Sequence, residues 1–226
     1  MAFNNIQNIR LNLLIPFIGS LFIIIVSGVW GLHLHHESDQ EAFTKDINHQ
    51  LENGFNQAIS DDISLIESLL FFITHKTELQ QSWTKKDRKK LFKNSLPIFE
   101  TIKKQHNITH FYFHDIKGKN FLRVHLPKHN GDTITQPTLA RAIKTQTISS
   151  GIEFGTFGQF VLRVVIPWEI NGILVGYVEL GEEINHILET LSKNNHYELL
   201  LTLEKSYIEN NNLEKTDFFI NHKKML

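Results

Sequence analysis

With 226 residues, 41% hydrophobic and 21% charged, the chain has the composition of a folded protein and not of a disordered one. A net charge of −1 gives no global attraction to nucleic acid, and the sequence shows no zinc-finger spacing, RNA-binding module or basic arm. Cysteine is absent, which excludes a disulfide framework, a thiolate metal site and a thiol nucleophile.

The first predicted element is a membrane-spanning helix. Leu11–Leu32, LNLLIPFIGSLFIIIVSGVWGL, has no charged side chain, and about 20 apolar residues cross a bilayer as a helix. Arg10 lies before it, and His33, His35, His36, Glu37 and Asp39 lie after it. The positive-inside rule then keeps residues 1–10 in the cytoplasm and exports everything beyond the span. Trp30 falls where an interfacial aromatic belongs, and Pro16 and Gly19 are tolerable early in a span. A cleaved signal peptide is the alternative, but the apolar core exceeds the usual range of roughly 7–15 residues and the small-residue cleavage signal is poor. No second span follows, so the chain alone is neither channel nor transporter.

Residues 33–106 read as long helices outside the membrane. From Glu37 to about Gln80, Phe43, Ile47, Leu51, Phe55, Ile59, Ile63, Ile66, Leu69, Leu70 and Ile73 recur in steps dominated by three and four. Such a helix is roughly 60 Å long at 1.5 Å per residue. One face can pack on a sheet and the membrane-near part on a second copy, so a homodimer through this helix is expected. Gly54, the one glycine in the stretch, is its expected weak point. A second helix starts with Thr84 as cap and Asp87 three residues on, and runs to about His106. Pro97 predicts a kink near Ser95 or Leu96.

Residues 107–195 form the next module, where the period changes from 3.6 to 2. Strands are predicted at Thr109–Asp115 and Asn120–Leu126 around a turn at Gly118. A loop from Pro127 to Thr135 follows, then a short helix over about Pro137–Thr145 with Thr135 as cap and Pro137 in its first turn. The Gly-rich stretch Gly151–Gly158 leads into a strand at Gln159–Glu169. Asn171-Gly172 signals a type I′ turn before a strand at Ile173–Gly181. Glu182–Lys193 reads as an amphipathic helix, and residues 196–226 as a short apolar run and polar tail. The order predicts an α+β fold, one antiparallel sheet with helices on one side.

Alternation assigns one sheet face to Phe111, Phe113, Leu122, Val124, Leu126, Phe160, Leu162, Val164, Ile166, Leu174, Val178 and Leu180. The other collects Tyr112, His114, Arg123, His125, Arg163, Tyr177 and Glu179, with Phe121, Val161, Val165, Ile173 and Val175 as its apolar part. A merely solvated face is one reading. Such a face usually carries Lys, Thr and Ser, whereas this one concentrates Arg, His and aromatic groups. The segment Pro127–Gly158 is long enough to cover it and turn it into a pocket. The arginine forks suit carboxylate, phosphate or sulfonate oxygens, so a small, anionic ligand is expected. Arg163 can alternatively pair with Glu179 on a neighbouring strand. His114 and His125 can be structural, or can titrate near pH 6.5 and make binding pH-dependent. Asp132 can cap a loop, and Arg141 can be solvated or point down at the sheet.

Other constellations are weaker. The His33, His35, His36 cluster suits a polar juxtamembrane collar better than a metal site. There is no HExxH, no acidic Ca²⁺ loop, and the glycines at 151, 155 and 158 lack the context of a phosphate loop. With no serine elbow or catalytic carboxylate pair either, neither an enzyme, a cofactor nor a metal is expected.

The runs FYFHDIKGKNFLRVHLPKHNGD (Phe111–Asp132) and ILVGYVELGEEINHILETL (Ile173–Leu191) resemble the double Cache sensor family, the extracytoplasmic domains of bacterial chemoreceptors, histidine kinases and cyclic-di-GMP enzymes. The resemblance covers roughly Glu37–Tyr207. It implies a long N-terminal helix followed by PAS-like modules with antiparallel sheets. It also implies small-molecule binding in the membrane-distal module, often of amino acids, organic acids or amines. Carried over, Arg123, His125 and Asp132 would border the pocket. It further implies an inner-membrane protein with a periplasmic sensor that signals through its long helix. Family members usually add a second module, a second span and an output domain. Here YELLLTLEKSYI resembles the start of a second module, so the chain is read either as a truncated or split receptor or as a stand-alone anchored binder that acts through a separate output partner. The competing readings are an accessory or truncated membrane protein with a vestigial pocket, and an exported enzyme.

Overall fold

The structure, a computed structural model, describes residues 3–155, 159–195 and 199, with side chains described for 16–31, 45–155, 159–193 and 199. Expectations for the tail from His196 and for the His33, His35 and His36 side chains lie outside the described residues. The chain divides into two units, Met1–Asn53 and Gly54–Leu226.

A single helix, α1 (Phe3–Thr74), contains all that the first unit describes and enters the second. The predicted span and the predicted long helix are thus one element, with Pro16 inside it. Among the described residues, no helix is long and apolar enough to cross a membrane. The described side chains of the expected span are those of residues 16–31. Large apolar groups from Phe17 to Trp30 are exposed there, and the hydroxyls of Ser20 and Ser27 donate back to the carbonyls of Phe17 and Ile24 at 2.9 and 3.0 Å.

In the second unit, α1 stops at Thr74, short of the expected Gln80, and α2 (Thr77–Thr84) begins after an extended Lys76. The break has a packing cause. It turns Leu79 and Trp83 of α2 into the core and leaves the Thr74 carbonyl to accept from the Gln80 amide (2.8 Å) and the Trp168 indole N–H (3.0 Å). α3 (Arg88–His106) is capped by Asp87, whose carboxylate accepts from the Lys90 N–H at 2.9 Å. The Thr84 cap is therefore corrected: Thr84 ends α2, and its hydroxyl donates to Gln80. α3 is continuous through Pro97.

The sheet follows as β1 (Ile108–His114), β2 (Asn120–Arg123), β3 (Ser149–Phe154), β4 (Phe160–Ile170) and β5 (Ile173–Glu183), in the order β2-β1-β5-β4-β3, every pair antiparallel. α4 (Pro137–Thr145) precedes β3 and α5 (Asn185–Asn195) follows β5. The α+β expectation holds, but the helices are not all on one side: α4 packs on the face opposite the other helices, with Leu139 and Ala142 against Val165 and Tyr177. β3 is an addition: SSGIEF lacks the alternation that marks a strand and is defined by its pairing with β4. The Asn171-Gly172 turn has positive φ at both residues, 53° and 73°, as a type I′ hairpin requires.

The main core lies between the sheet and the helices α1, α2 and α3. It joins Ile66, Leu70 and Ile73 to Trp83, Phe99, Phe111, Phe113, Leu162, Val164, Trp168, Val178 and Leu180. The predicted apolar face is correct except where a bulge reverses the alternation. Phe113 pairs with Leu122 but His114 with Asn120, so Phe121 is extra and turns to the core, its ring 5.0 Å from Trp83. Trp168 pairs with Gly176 but Glu169 with Leu174. Val175 therefore joins the core side, and Leu174 moves to the opposite face with Leu139, Ala142, Val165 and Tyr177. β2 ends at Arg123, which leaves the expected core residue Leu126 40% exposed.

Candidate functional site

The face opposite the main core carries the polar side chains, and it is closed over rather than solvated. His114 and Glu179 are fully buried, Arg163 is 3% exposed and Tyr112 5%. α4 lies over β3 and β4 and seals that side with Leu139 and Ala142 against Tyr177 and Val165. Burial raises the Tyr177 hydroxyl above its ordinary pKa.

Glu179 is the hub. Its Oε2 accepts from His114 Nε2 at 3.0 Å, and its Oε1 lies 2.5 Å from Arg163 Nη1. Nε2 is thus turned to the carboxylate, and Nδ1 has no hydrogen-bond partner among the described residues. Burial pushes the Glu179 carboxyl up, but the Arg163 charge and the His114 bond outweigh it and hold it at about 2. Arg163 Nε lies 3.3 Å from Glu153 Oε2. The other Glu153 oxygen accepts from the Thr138 backbone N–H at 2.6 Å and from the Thr138 hydroxyl. Glu153 of β3 thus caps α4, where a carboxylate also meets the positive end of the helix dipole. This corrects Thr135 as the cap: Gln136 occupies the cap position and makes no side-chain bond.

The second arginine faces outward. Arg123 forks onto Asp132, Nη1 to Oδ1 at 2.8 Å and Nη2 to Oδ2 at 2.6 Å, and also donates to the His129 carbonyl at 3.0 Å. The pair is reachable, with side-chain exposures of 14% and 49%. The Arg123 fork holds the Asp132 carboxyl down at about 2. The loop that carries Asp132 runs along β2: Asn120 N–H donates to the Asp132 carbonyl, and Gly131 N–H to the Asn120 carbonyl. Asp132 is therefore a partner of Arg123 in the structure, not only a loop cap.

Between the arginines lies an aromatic set. The guanidinium carbons of Arg123 and Arg163 stand 5.4 and 5.8 Å from the Tyr112 ring centre. His110 stacks on Tyr112 at 6.2 Å, and His125 meets Tyr112 and His110 edge-on at 4.7 and 4.9 Å. His125 Nδ1 accepts from the Phe111 N–H at 3.1 Å. Burial, with the arginine charges, lowers His110 to about 3 and His125 to about 4. His125 is thus neutral near neutrality, and the expectation that it titrates near pH 6.5 is corrected.

The structure brings together Tyr112, His114, Arg123, His125, Asp132, Arg163, Tyr177 and Glu179. It leaves out Arg141, which is exposed on α4 and donates to the Ser150 carbonyl at 3.4 Å. Sequence reasoning missed His110, although it shares the parity of Tyr112 and His114. It also missed Glu153 and Thr138, which only the unread strand β3 brings into place.

A family model described as the double sensory domain of two-component sensor kinases matches residues 44–225. The chain belongs to this family. Solved structures of similar fold include the Escherichia coli DcuS sensor domain, 16% identical at a TM-score of 0.50, over 60% of this chain and 98% of that one. The Vibrio cholerae histidine kinase DctB sensor domain is 14% identical at 0.50, over 64% and 58%. The sensory domain of the Campylobacter jejuni chemoreceptor Tlp3 with isoleucine bound is 18% identical at 0.52, over 66% and 61%. The chain thus spans about three-fifths of the DctB and Tlp3 domains and nearly all of the DcuS domain. No curated protein matches it in sequence. Its neighbours are Cache-type sensor domains of kinases and chemoreceptors.

Proposed function

We propose that the chain is a membrane-anchored extracytoplasmic sensor that binds a small carboxylate-bearing molecule at the Tyr112 face. The observation that carries this is the Arg123–Asp132 pair: a charged fork bordering a buried aromatic face, within reach of solvent. A ligand carboxylate takes the fork in place of Asp132. The other charges on the face are already balanced, Arg163 by Glu179 and Glu153. A plain anion would therefore leave Asp132 unpaired. A zwitterion would not, because its ammonium can meet the displaced carboxylate. The same chemistry is present in the isoleucine and valine bound by the Tlp3 domains.

Calorimetric titration of the full chain in lipid nanodiscs with amino acids and dicarboxylates tests this. Arg123→Ala should weaken binding at least tenfold, about 1.4 kcal/mol. Asp132→Asn separates the ligand classes: a zwitterion loses affinity, whereas a plain dianion gains it because an internal competitor is gone. Binding indifferent to both substitutions would overturn the assignment.

The exposed apolar stretch from Phe17 to Trp30, its hydroxyls satisfied within the helix, supports the anchor. In this reading Leu11–Leu32 crosses the inner membrane and residues 1–10 stay in the cytoplasm. Residues 33–106 and the module 107–195 then lie in the periplasm. A homodimer through α1 would carry the signal along this helix.

A further inference from the structure

We propose that Asp62, Glu182 and His186 form a site for one divalent transition-metal ion that ties α1 to β5 and α5. The site lies on the core side of the sheet and is independent of the ligand reading above. One ligand atom from each residue lies within 4.8 Å of the others.

Three observations carry the proposal. First, Glu182 points from a central strand into the interior, opposite Ile108 and Leu162, and is 2% exposed. Its Oε1 has no hydrogen-bond partner, and among the described residues no lysine or arginine pairs with it or with Asp62. Two carboxylates sharing a buried corner without a cation repel each other. Second, His186 Nδ1 lies 2.9 Å from the Glu183 carbonyl, a bond that needs the proton on Nδ1. In the neutral ring this leaves the Nε2 lone pair facing Asp62, and a backbone carbonyl on the other ring nitrogen is how metal-bound imidazoles are commonly oriented. Third, Nε2 lies 3.4 Å from Asp62 Oδ2. Metal bonds of 2.0–2.2 Å at a tetrahedral angle put adjacent ligand atoms about 3.4 Å apart.

The donor set selects the ion. One imidazole and two carboxylates suit Zn²⁺ and its first-row neighbours, whereas Ca²⁺ and Mg²⁺ call for oxygen alone. Asp62 and His186 have side-chain exposures of 24% and 34%, so the ion can enter and keep a water as its remaining ligand.

The test uses the full chain in nanodiscs, purified without a polyhistidine tag, with His33, His35 and His36 replaced by Ala to remove competing imidazoles. Equilibrium dialysis against Zn²⁺ and the visible spectrum on Co²⁺ addition should report one ion per chain. Asp62→Asn and His186→Gln should each weaken uptake at least tenfold and abolish the Zn²⁺-dependent rise in thermal midpoint. Both residues are partly exposed, so each variant should fold, which circular dichroism checks. No stoichiometric uptake, or uptake unchanged in both variants, would overturn the site and leave a proton shared among the three groups as its occupant.

Discussion

At Glu179, a carboxylate buried without solvent contact survives as an anion because Arg163 and His114 both face it. Removing one partner of such a group costs more than the pair contributes, since the other is left uncompensated in a low dielectric. Glu179→Gln should therefore destabilise the fold by about 3 kcal/mol in urea unfolding at pH 7. On the Tyr112 face the pH dependence has two parts of the same sign. His110 and His125 are held neutral below the unfolded value of about 6.5, so stability falls as the pH drops from there toward 4 and 3. Glu179 is held ionised below its unfolded value of about 4.3, and its contribution is lost as the pH falls from there toward 2. Urea midpoints from pH 7 to pH 3 should thus carry a falling contribution from these three groups. Between pH 7 and about 4.3 it is opposed by Glu182, whose carboxyl, raised to about 8 by burial and Asp62, gains stability as it protonates. His110→Phe should flatten the upper part of the profile and Glu179→Gln the lower part. Much of this face was legible from residue parity alone. Its electrostatics were legible in part: the Arg163–Glu179 pair, an open alternative from the sequence, is present, whereas parity gave no sign that Asp132 already occupies the Arg123 fork.

At the scale of elements, the bulges in β2 and β5 decide where alternation can be trusted. β4 read correctly because its alternation is unbroken, and β1 did from His110 onward; before it a further register shift at Thr109 puts Ile108 in the core with Phe111. Phe121, Leu174 and Val175 did not, because an extra residue resets the period and only pairing reveals it. β3 was illegible for a different reason. As an edge strand of small residues it carries little pattern, yet it delivers Glu153 to the head of α4. The α4 bounds, by contrast, were readable because Pro137 marks its first turn. Gly176 shows how tightly the second bulge is packed. A Cβ there would run into the His114 carbonyl and lie 2.8 Å from the Trp83 ring. Gly176→Ala should cost about 1–3 kcal/mol, measured by urea unfolding, and shift the tryptophan fluorescence. Gly54, expected to weaken its helix, is instead where α5 comes close: a Cβ would sit 3.1 Å from Leu191 Cδ2.

For the whole molecule, the absence of cysteine makes the proposed topology directly measurable. A single cysteine at the exposed turn residue Lys117 should react with a membrane-impermeant maleimide in cells with a permeabilised outer membrane. One at Asn5 should react only after lysis. The opposite pattern would place the sensor in the cytoplasm. The sheet order carries a consequence for assembly. β5, the last of the described strands, is the middle of the sheet, so β1–β2 and β3–β4 have no ladder joining them until it arrives. Two hairpins with open edges must wait for a segment far along the polypeptide, and closing that distance is slow. Newly made chain is therefore most vulnerable to proteases and to misassembly just before residues 173–183 emerge. An interrupted translation product ending there should be degraded rather than accumulate as a half-built sensor.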